Sequence, residues 1–248
     1  MILEKSENQP INTYEIKKRE WDSDFFGYNV FSIDLTRHKD VDIAQLRKIL
    51  EKIGSKVCYC YADPNNLHIS SRFKESGVEI ADRKVTFTKA VIGEGAIDPN
   101  IKNVYQTTMS QKILDIALQS GVHSRFNIDK KFDNNEYARL YSEWIRKSIS
   151  GELASAVFVY FVDGVEAGLI TIGSKNGIAD IGLLAVDKHY RGLGIGSKLI
   201  LAAESQARSM NLSSIQVVTQ LDNEPACNLY KKNGFNISST ENIYHLWL

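Results

Sequence analysis

Between Ile178 and Met210 the chain reads IADIGLLAVDKHYRGLGIGSKLILAAESQARSM. An apolar run, Ile178 to Val186, passes almost directly into a helical pattern whose entry carries Gly192, Gly194 and Gly196. Glycine inside a helix costs roughly 1 kcal/mol against alanine, so this stretch predicts a strand-to-helix turn with bare backbone. Amides at a helix N-terminus point out of it, and the macrodipole is positive there. Missing Cβ atoms admit a close neighbour. The stretch therefore predicts a β-α crossover, hence an α/β fold, and an anion such as a diphosphate at the turn. A dinucleotide fingerprint needs G-x-G-x-x-G and a later acidic strand end, and a P-loop needs G-x-x-x-x-G-K-[ST]. The spacing here gives neither.

The surrounding pattern places the turn in a larger unit. SQKILDIALQSG reads as a short helix stopped by Gly121, and NEYARLYSEWIRKSI as a second helix with one apolar stripe. The segment between them, HSRFNIDKKFDNN, reads as irregular. ASAVFVYFV and EAGLITIG read as strands joined by an Asp163-Gly164 hairpin turn. SSIQVVT reads as another strand. LDNEPACNLYKKNG reads as a helix with Asn223 at its N-cap, Pro225 in its first turn and Gly234 at its stop. FNISST and NIYHLWL read as two closing strands. These elements predict an α/β domain over about 103–248.

The first half is a shorter echo. VCYCYADPNNLHISSRFKESGVEI repeats the order of IQVVTQLDNEPACNLYKKNGFNI, with Phe73 standing four residues before Gly77 as Tyr230 stands before Gly234. We read a degenerate internal repeat. The first half lacks the glycine loop, so one anion site per chain is expected. The domains predicted are 1–98 and 103–248, joined by AVIGEGAIDPN.

Thirty basic residues balance thirty acidic ones, which argues against bulk electrostatic binding to nucleic acid or an anionic membrane. No apolar run reaches the ~18 residues of a membrane span. The first twenty residues show no signal-peptide pattern. Three cysteines, Cys58, Cys60 and Cys227, predict free thiols and a cytoplasmic location. Cys58 and Cys60 share a strand face and are read as core. No set of residues at metal-ligand spacing is present.

Arg191-x-x-Gly194-x-Gly196 after a strand, followed by a helix, a strand and Asn223-x-x-Ala226-x-x-Leu229-Tyr230-x-x-x-Gly234-Phe235, resembles the GNAT superfamily of N-acetyltransferases. The resemblance covers about 103–248. It implies the GNAT fold, a mixed and mostly antiparallel sheet flanked by helices, preceded by a truncated GNAT-like half without the glycine loop. It implies acetyl-CoA or another acyl-CoA as donor, with no metal. Arg191, Gly192, Leu193, Gly194, Ile195, Gly196 and Ser197 would hold the pyrophosphate. Leu184, Ala185 and Val186 would meet the pantetheine arm through their backbone, and Asn223 would contact the arm near the sulfur. Tyr230 would protonate the departing thiolate, a role open to a phenol of pKa ~10.

WDSDFFGYNV and HSRFNIDKKF…YARLYSEWI resemble the TDP-fucosamine acetyltransferases within that superfamily. This implies a TDP-linked amino-dideoxy sugar as acceptor, used in O-antigen or other surface-glycan synthesis. Phe25, Phe26, Ser124, Arg125 and Phe126 would form its site. Arginine grips phosphate at two points, and the aromatic rings would flank a base or sugar. Asp180, Glu143, His123 and His245 are candidates for the general base. Two other readings stay open: a GNAT for another amine (a peptide N-terminus, a polyamine or an antibiotic) and a non-catalytic acyl-CoA-binding module. A homodimer through C-terminal edge strands is also compatible with the sequence.

Overall fold

Local chemistry sets the element boundaries. Asp163 and Gly164 both take positive φ, 48° and 80°, the backbone a two-residue hairpin needs. Among the described residues five α-helices open on a side chain that accepts an orphan amide: Asp42 from Gln45, Asn66 from Ile69, Ser110 from Ile113, Ser124 from Phe126, and Asn223 from Ala226. The computed structural model describes residues 14–93 and 95–248. The residues that bear on a signal peptide fall mainly outside these, as do the start of the 1–98 segment and one linker position.

In chain order the elements are β1 (Ile16–Lys18), α1 (Glu20–Phe26), β2 (Val30–Asp34), α2 (Ile43–Lys52), β3 (Val57–Ala62), α3 (Leu67–Glu75), β4 (Ile80–Ala90) and β5 (Ile101–Asn103). They continue with α4 (Gln111–Ser120), α5 (Arg125–Ile128), α6 (Glu136–Ser150), β6 (Ala156–Val162), β7 (Val165–Lys175) and β8 (Ile178–Val186). A 3-10 turn, Lys188–Tyr190, leads to α7 (Ile195–Ser209), β9 (Ser214–Gln220), α8 (Glu224–Lys232) and β10 (Asn236–Trp247).

The chain divides into two compact units. One runs to Arg83 and takes in Glu241–Leu248. In it β2 pairs antiparallel with β1 and parallel with β3, and β3 pairs antiparallel with Asn242–Trp247. Its helices α2 and α3 bury Leu46, Leu50, Ile69 and Phe73 against Cys58, Cys60, Tyr244 and Leu246. Both strand cysteines are fully buried. The Phe73 ring stacks on Tyr244 at 4.0 Å.

The other unit is Lys84–Thr240. Its strands follow the order β4-β9-β8-β7-β6-β5. Every pair there is antiparallel except β8 with β9. Leu199, Ala203 and Ala207 on α7 bury completely against Ile170, Ile172, Val217 and their neighbours.

These units divide elsewhere than at 1–98 and 103–248. The reason is strand exchange. The strand after α3 gives Lys84–Ala90 to β9, and the strand after α8 gives Asn242–Trp247 to β3. Further element readings change. VEIA and KVTFTKA form the single strand β4, and FNISST and NIYHLWL the single strand β10. RFNI is helical, because Ser124 caps it by accepting from the Phe126 amide. EWDSDFF is a helix closed by Gly27 at φ 81°. One side of the C-terminal strand, expected from sequence as a dimer edge, is already paired with β3. Among the described residues no helix is long and apolar enough to cross a membrane.

The two halves share their capping geometry. Val78 N donates to Phe73 O at 2.9 Å, and Phe235 N to Tyr230 O at 3.1 Å. Gly77 and Gly234 follow at φ 70° and 83°.

Candidate functional site

Parallel pairing of β8 with β9 covers Ala179–Ile181 against Ile215–Val217. Beyond it the strands diverge. A bulge accompanies the divergence: the β7–β8 register shifts between Ile170 and Ile172, and the Thr171 hydroxyl accepts from Leu183 N at 2.8 Å. Past the paired stretch, the end of β8 borders a cavity of about 450 Å³.

Leu184, Ala185 and Val186 of β8 line it, as do Arg191, Gly192, Gly194, Ile195, Gly196 and Ser197 from the turn and the start of α7. Asn223, Ala226 and Tyr230 close it from α8. Of the residues expected at a donor, only Leu193 is off the wall; its side chain is 59% exposed. Gln119, Ser120, Val122, His123, Tyr190, Pro225, Leu229 and Lys232 complete the lining. Sequence reading missed these, apart from His123. The stop of α4 at Gly121 was visible, but nothing local says where that helix end packs.

Gly192 and Gly194 have φ of 83° and 73°, and a Cβ on either would meet nothing within 4 Å, whereas a Cβ on Gly196 would come within 3.0 Å of Leu229. Gly194 is the N-cap of α7 and makes no side-chain cap. The helix entry therefore keeps outward amides for an anion. The matching β2–α2 connection of the first unit is filled by carboxylates: Asp34 accepts from Thr36 N, Asp40 from Val41 N, and Asp42 from Gln45 N. Arg72 beside Asp40 lowers its carboxyl to about 2, so it stays charged. Such a turn repels a phosphate.

Behind the glycine turn lies a polar hub. Asp187 is 2% exposed. It accepts from Lys112 Nζ at 2.6 Å, His189 N at 2.9 Å and Gln119 Nε2 at 3.3 Å. The Lys112 ammonium, then the His189 amide, hold its carboxyl well below the usual range. Gln119 Oε1 accepts from Lys188 N at 3.0 Å. The hub thus ties the end of α4 to the start of the turn.

A narrow notch of about 70 Å³ adjoins the cavity. It is lined by Tyr141, Gly182, Leu183, Val217, Val218 and Thr219, and it shares Ser120, Leu184, Asn223, Ala226 and Tyr230 with the larger space. Tyr230 is 4% exposed and packs against Phe87 and Phe235. Its hydroxyl takes no hydrogen-bond partner among the described residues. Burial, then the nearby Cys227 thiol, pushes its phenol well above the ordinary value, so it remains a proton donor. Cys227 donates to Gln220 O at 3.4 Å, and burial raises its thiol too. An unactivated thiol of this kind is a poor nucleophile.

The remaining predicted residues fall outside the cavity wall. Ser124 and Phe126 are buried, and Arg125 lies over the Phe126 ring at 4.9 Å. Phe25 and Phe26 belong to α1 in the first unit, where Phe25 stacks on Trp21 at 5.0 Å. Among the four base candidates, Glu143 is engaged by Arg146 at 2.7 Å and Lys147 at 3.6 Å. Asp180 accepts from Gln216 at 2.8 Å, and His245 is buried in the first unit. His123 borders the cavity. Among the described residues no group of three His, Cys, Asp or Glu is placed to hold a metal ion.

Residues 121–235 match the acetyltransferase (GNAT) family. A GCN5-related N-acetyltransferase from Sphaerobacter thermophilus superposes with a TM-score of 0.55 at 12% identity, over 88% of this chain and 73% of that one. A streptothricin acetyltransferase of Escherichia coli is 38% identical over 88 residues, 35% of this chain; the match spans about half of that protein, 51%. A dTDP-fucosamine acetyltransferase of Escherichia coli O6:H1 is 22% identical over 230 residues, 91% of this chain and 95% of that protein.

Proposed function

We propose that this chain, whose residues 121–235 match the GNAT acetyltransferase family, is an N-acyltransferase that moves an acyl group from acyl-CoA to the amine of a TDP-linked amino-dideoxy sugar. Acyl transfer from coenzyme A to nitrogen is supported by the match of residues 121–235 to the GNAT family; the acceptor and the residue roles are our reading. The observation that carries the roles is the position of Tyr230, a nearly buried phenol bordering both the cavity and its notch.

In this reading the cavity takes the donor. The turn amides and Arg191 hold the diphosphate. The backbone of Leu184–Val186 pairs with the pantetheine arm and polarises the thioester carbonyl. Asn223 steadies the arm near sulfur. The acceptor amine enters from the notch and its nitrogen attacks the carbonyl carbon. The C–S bond breaks, and the sulfur takes the proton of Tyr230. The amine's proton passes to His123, the base candidate that borders the cavity.

The TDP-sugar assignment is supported by the dTDP-fucosamine acetyltransferase, a relative whose match spans both units. Arg125 would grip the sugar's pyrophosphate, with Ser124 and Phe126 holding its loop. Phe25 and Phe26 belong to the other unit and carry no part of this reading. We place the enzyme in the cytoplasm, where buried free thiols such as Cys58, Cys60 and Cys227 persist. A second reading, acetylation of an antibiotic amine, is favoured by the streptothricin acetyltransferase match.

The test is thiol release from acetyl-CoA across TDP-3-amino- and TDP-4-amino-6-deoxyhexoses, with a streptothricin in the same panel. Fast release with one sugar alone supports the assignment. Release with the antibiotic and none with any sugar replaces it by the second reading.

A further inference from the structure

The cavity wall carries two cations that the protein leaves without a carboxylate. Arg191 donates from Nε to Val186 O at 3.2 Å and forms no ion pair among the described residues. Lys232 is exposed and forms neither an ion pair nor a side-chain hydrogen bond there. No aspartate or glutamate among the described residues lines this wall. Three half-buried lysines of the same unit are paired, Lys89 with Glu204 at 2.6 Å, Lys112 with Asp187 at 2.6 Å, and Lys198 with Asp98 at 2.9 Å; what sets Lys232 apart from the unit's other unpaired lysines is its place on the cavity wall. Two unpaired cations facing one concave space define an anion site with more than one anionic group.

The donor read into this cavity has two separate anionic groups, a diphosphate and a 3′-phosphomonoester on its adenosine. The turn amides and Arg191 account for the diphosphate. Lys232 is on another element, the last turn of α8. Its position relative to the turn is fixed by its neighbour: Asn233 Nδ2 donates to Ser197 Oγ in the first turn of α7 at 3.0 Å. Ser197 and Lys232 line the same wall. We propose that Lys232 forms a subsite for the 3′-phosphate and makes the protein distinguish coenzyme A from 3′-dephospho-coenzyme A. This rests on the reading of the cavity as the donor site.

A lysine in the last turn of a helix also complements the macrodipole. Lys231 does so equally, yet it is not part of the cavity wall. That neighbour separates the two roles. A 3′-phosphate carries close to two charges near neutral pH, and one exposed lysine against it gives a preference of about tenfold.

The experiment is calorimetric titration of the full chain with coenzyme A and with 3′-dephospho-coenzyme A, for the wild type, Lys232→Met and Lys231→Met. The expected result is a wild-type preference for coenzyme A of about tenfold, lost in Lys232→Met and kept in Lys231→Met. Unchanged binding of the dephospho form by Lys232→Met shows that its site is intact. Equal wild-type affinity for the two ligands overturns the subsite, as does a preference that survives Lys232→Met or falls equally in both variants. Failure of the wild type to bind either ligand overturns the donor reading, and the subsite with it.

Discussion

At the scale of single residues, the glycine turn combines two needs that the sequence presents as one. Gly192 and Gly194 are required by their left-handed backbone, where a side chain costs about 1–2 kcal/mol; Gly196 is required by its closeness to Leu229. All three leave the amides bare, but only the third does so through crowding. Asn223 was legible as a cap because capping is local; Tyr230 was singled out by the resemblance of its motif. Lys232 was not, since a sequence shows a charge but not whether a partner reaches it. Tyr230 gives the sharpest residue-level prediction. Replacing it with Phe removes the hydroxyl and leaves the packing against Phe87 and Phe235. Thiol release should fall by about 10²–10⁴ in kcat, the usual range for a lost general acid, with donor affinity unchanged. Because burial raises the phenol, the wild-type rate should show no descending alkaline limb from this group between pH 7 and 9. Wild-type kcat in the Phe variant would assign Tyr230 to packing alone.

At the scale of elements, helices were easier to read than strands. The caps at Ser110, Asn223, Asp42 and Asn66 lie within three residues of the amides they bind. Strand β4 was split in reading because Asp82 and Arg83 interrupt its apolar pattern, and β10 because STEN does the same. Hydrogen bonding to a distant strand, not local composition, keeps each continuous. The hub behind the turn was equally invisible, since Lys112 and Gln119 on α4 lie far along the chain from Asp187, which they bind. Its role is testable by pH. The Asp187 carboxyl is depressed in the folded chain, so its stabilisation is full above the unfolded value of about 4. It is lost as pH falls through the lower folded value. Asp187→Asn should therefore lower Tm by several degrees at pH 7, and the gap to wild type should narrow below pH 4. The variant should also bind coenzyme A more weakly, because the turn loses its tie to α4. A gap that is constant down to pH 2 would mean that the charge contributes nothing.

At the scale of the whole molecule, the repeat was legible but its consequence was not. Two β-α-β segments with the same caps suggest two separable domains, and the sequence places a linker between them. The fold instead sends the strand after each segment's last helix to the other unit. Pairing partners more than a hundred residues apart leave no local trace, so the compact units cannot be read from local pattern. This topology makes a firm prediction about truncation. A fragment of residues 103–248 retains the glycine turn, Asn223, Tyr230 and the full GNAT match. It lacks Lys84–Ala90, so β9 loses one partner along its whole length, and it lacks β3, so Asn242–Trp247 has nothing to pair with. Both exposed edges invite aggregation. Buried residues of β4, Val85 and Phe87, leave the core that surrounds Tyr230. The fragment should be poorly soluble and lack a cooperative thermal transition by circular dichroism. A longer fragment beginning at residue 80 and ending at 240 should recover solubility and coenzyme A binding, since it keeps every strand of the unit that contains the cavity. If the 103–248 fragment instead melts cooperatively with wild-type affinity for coenzyme A, the exchanged strands are dispensable, and the boundary read from the sequence is the functional one.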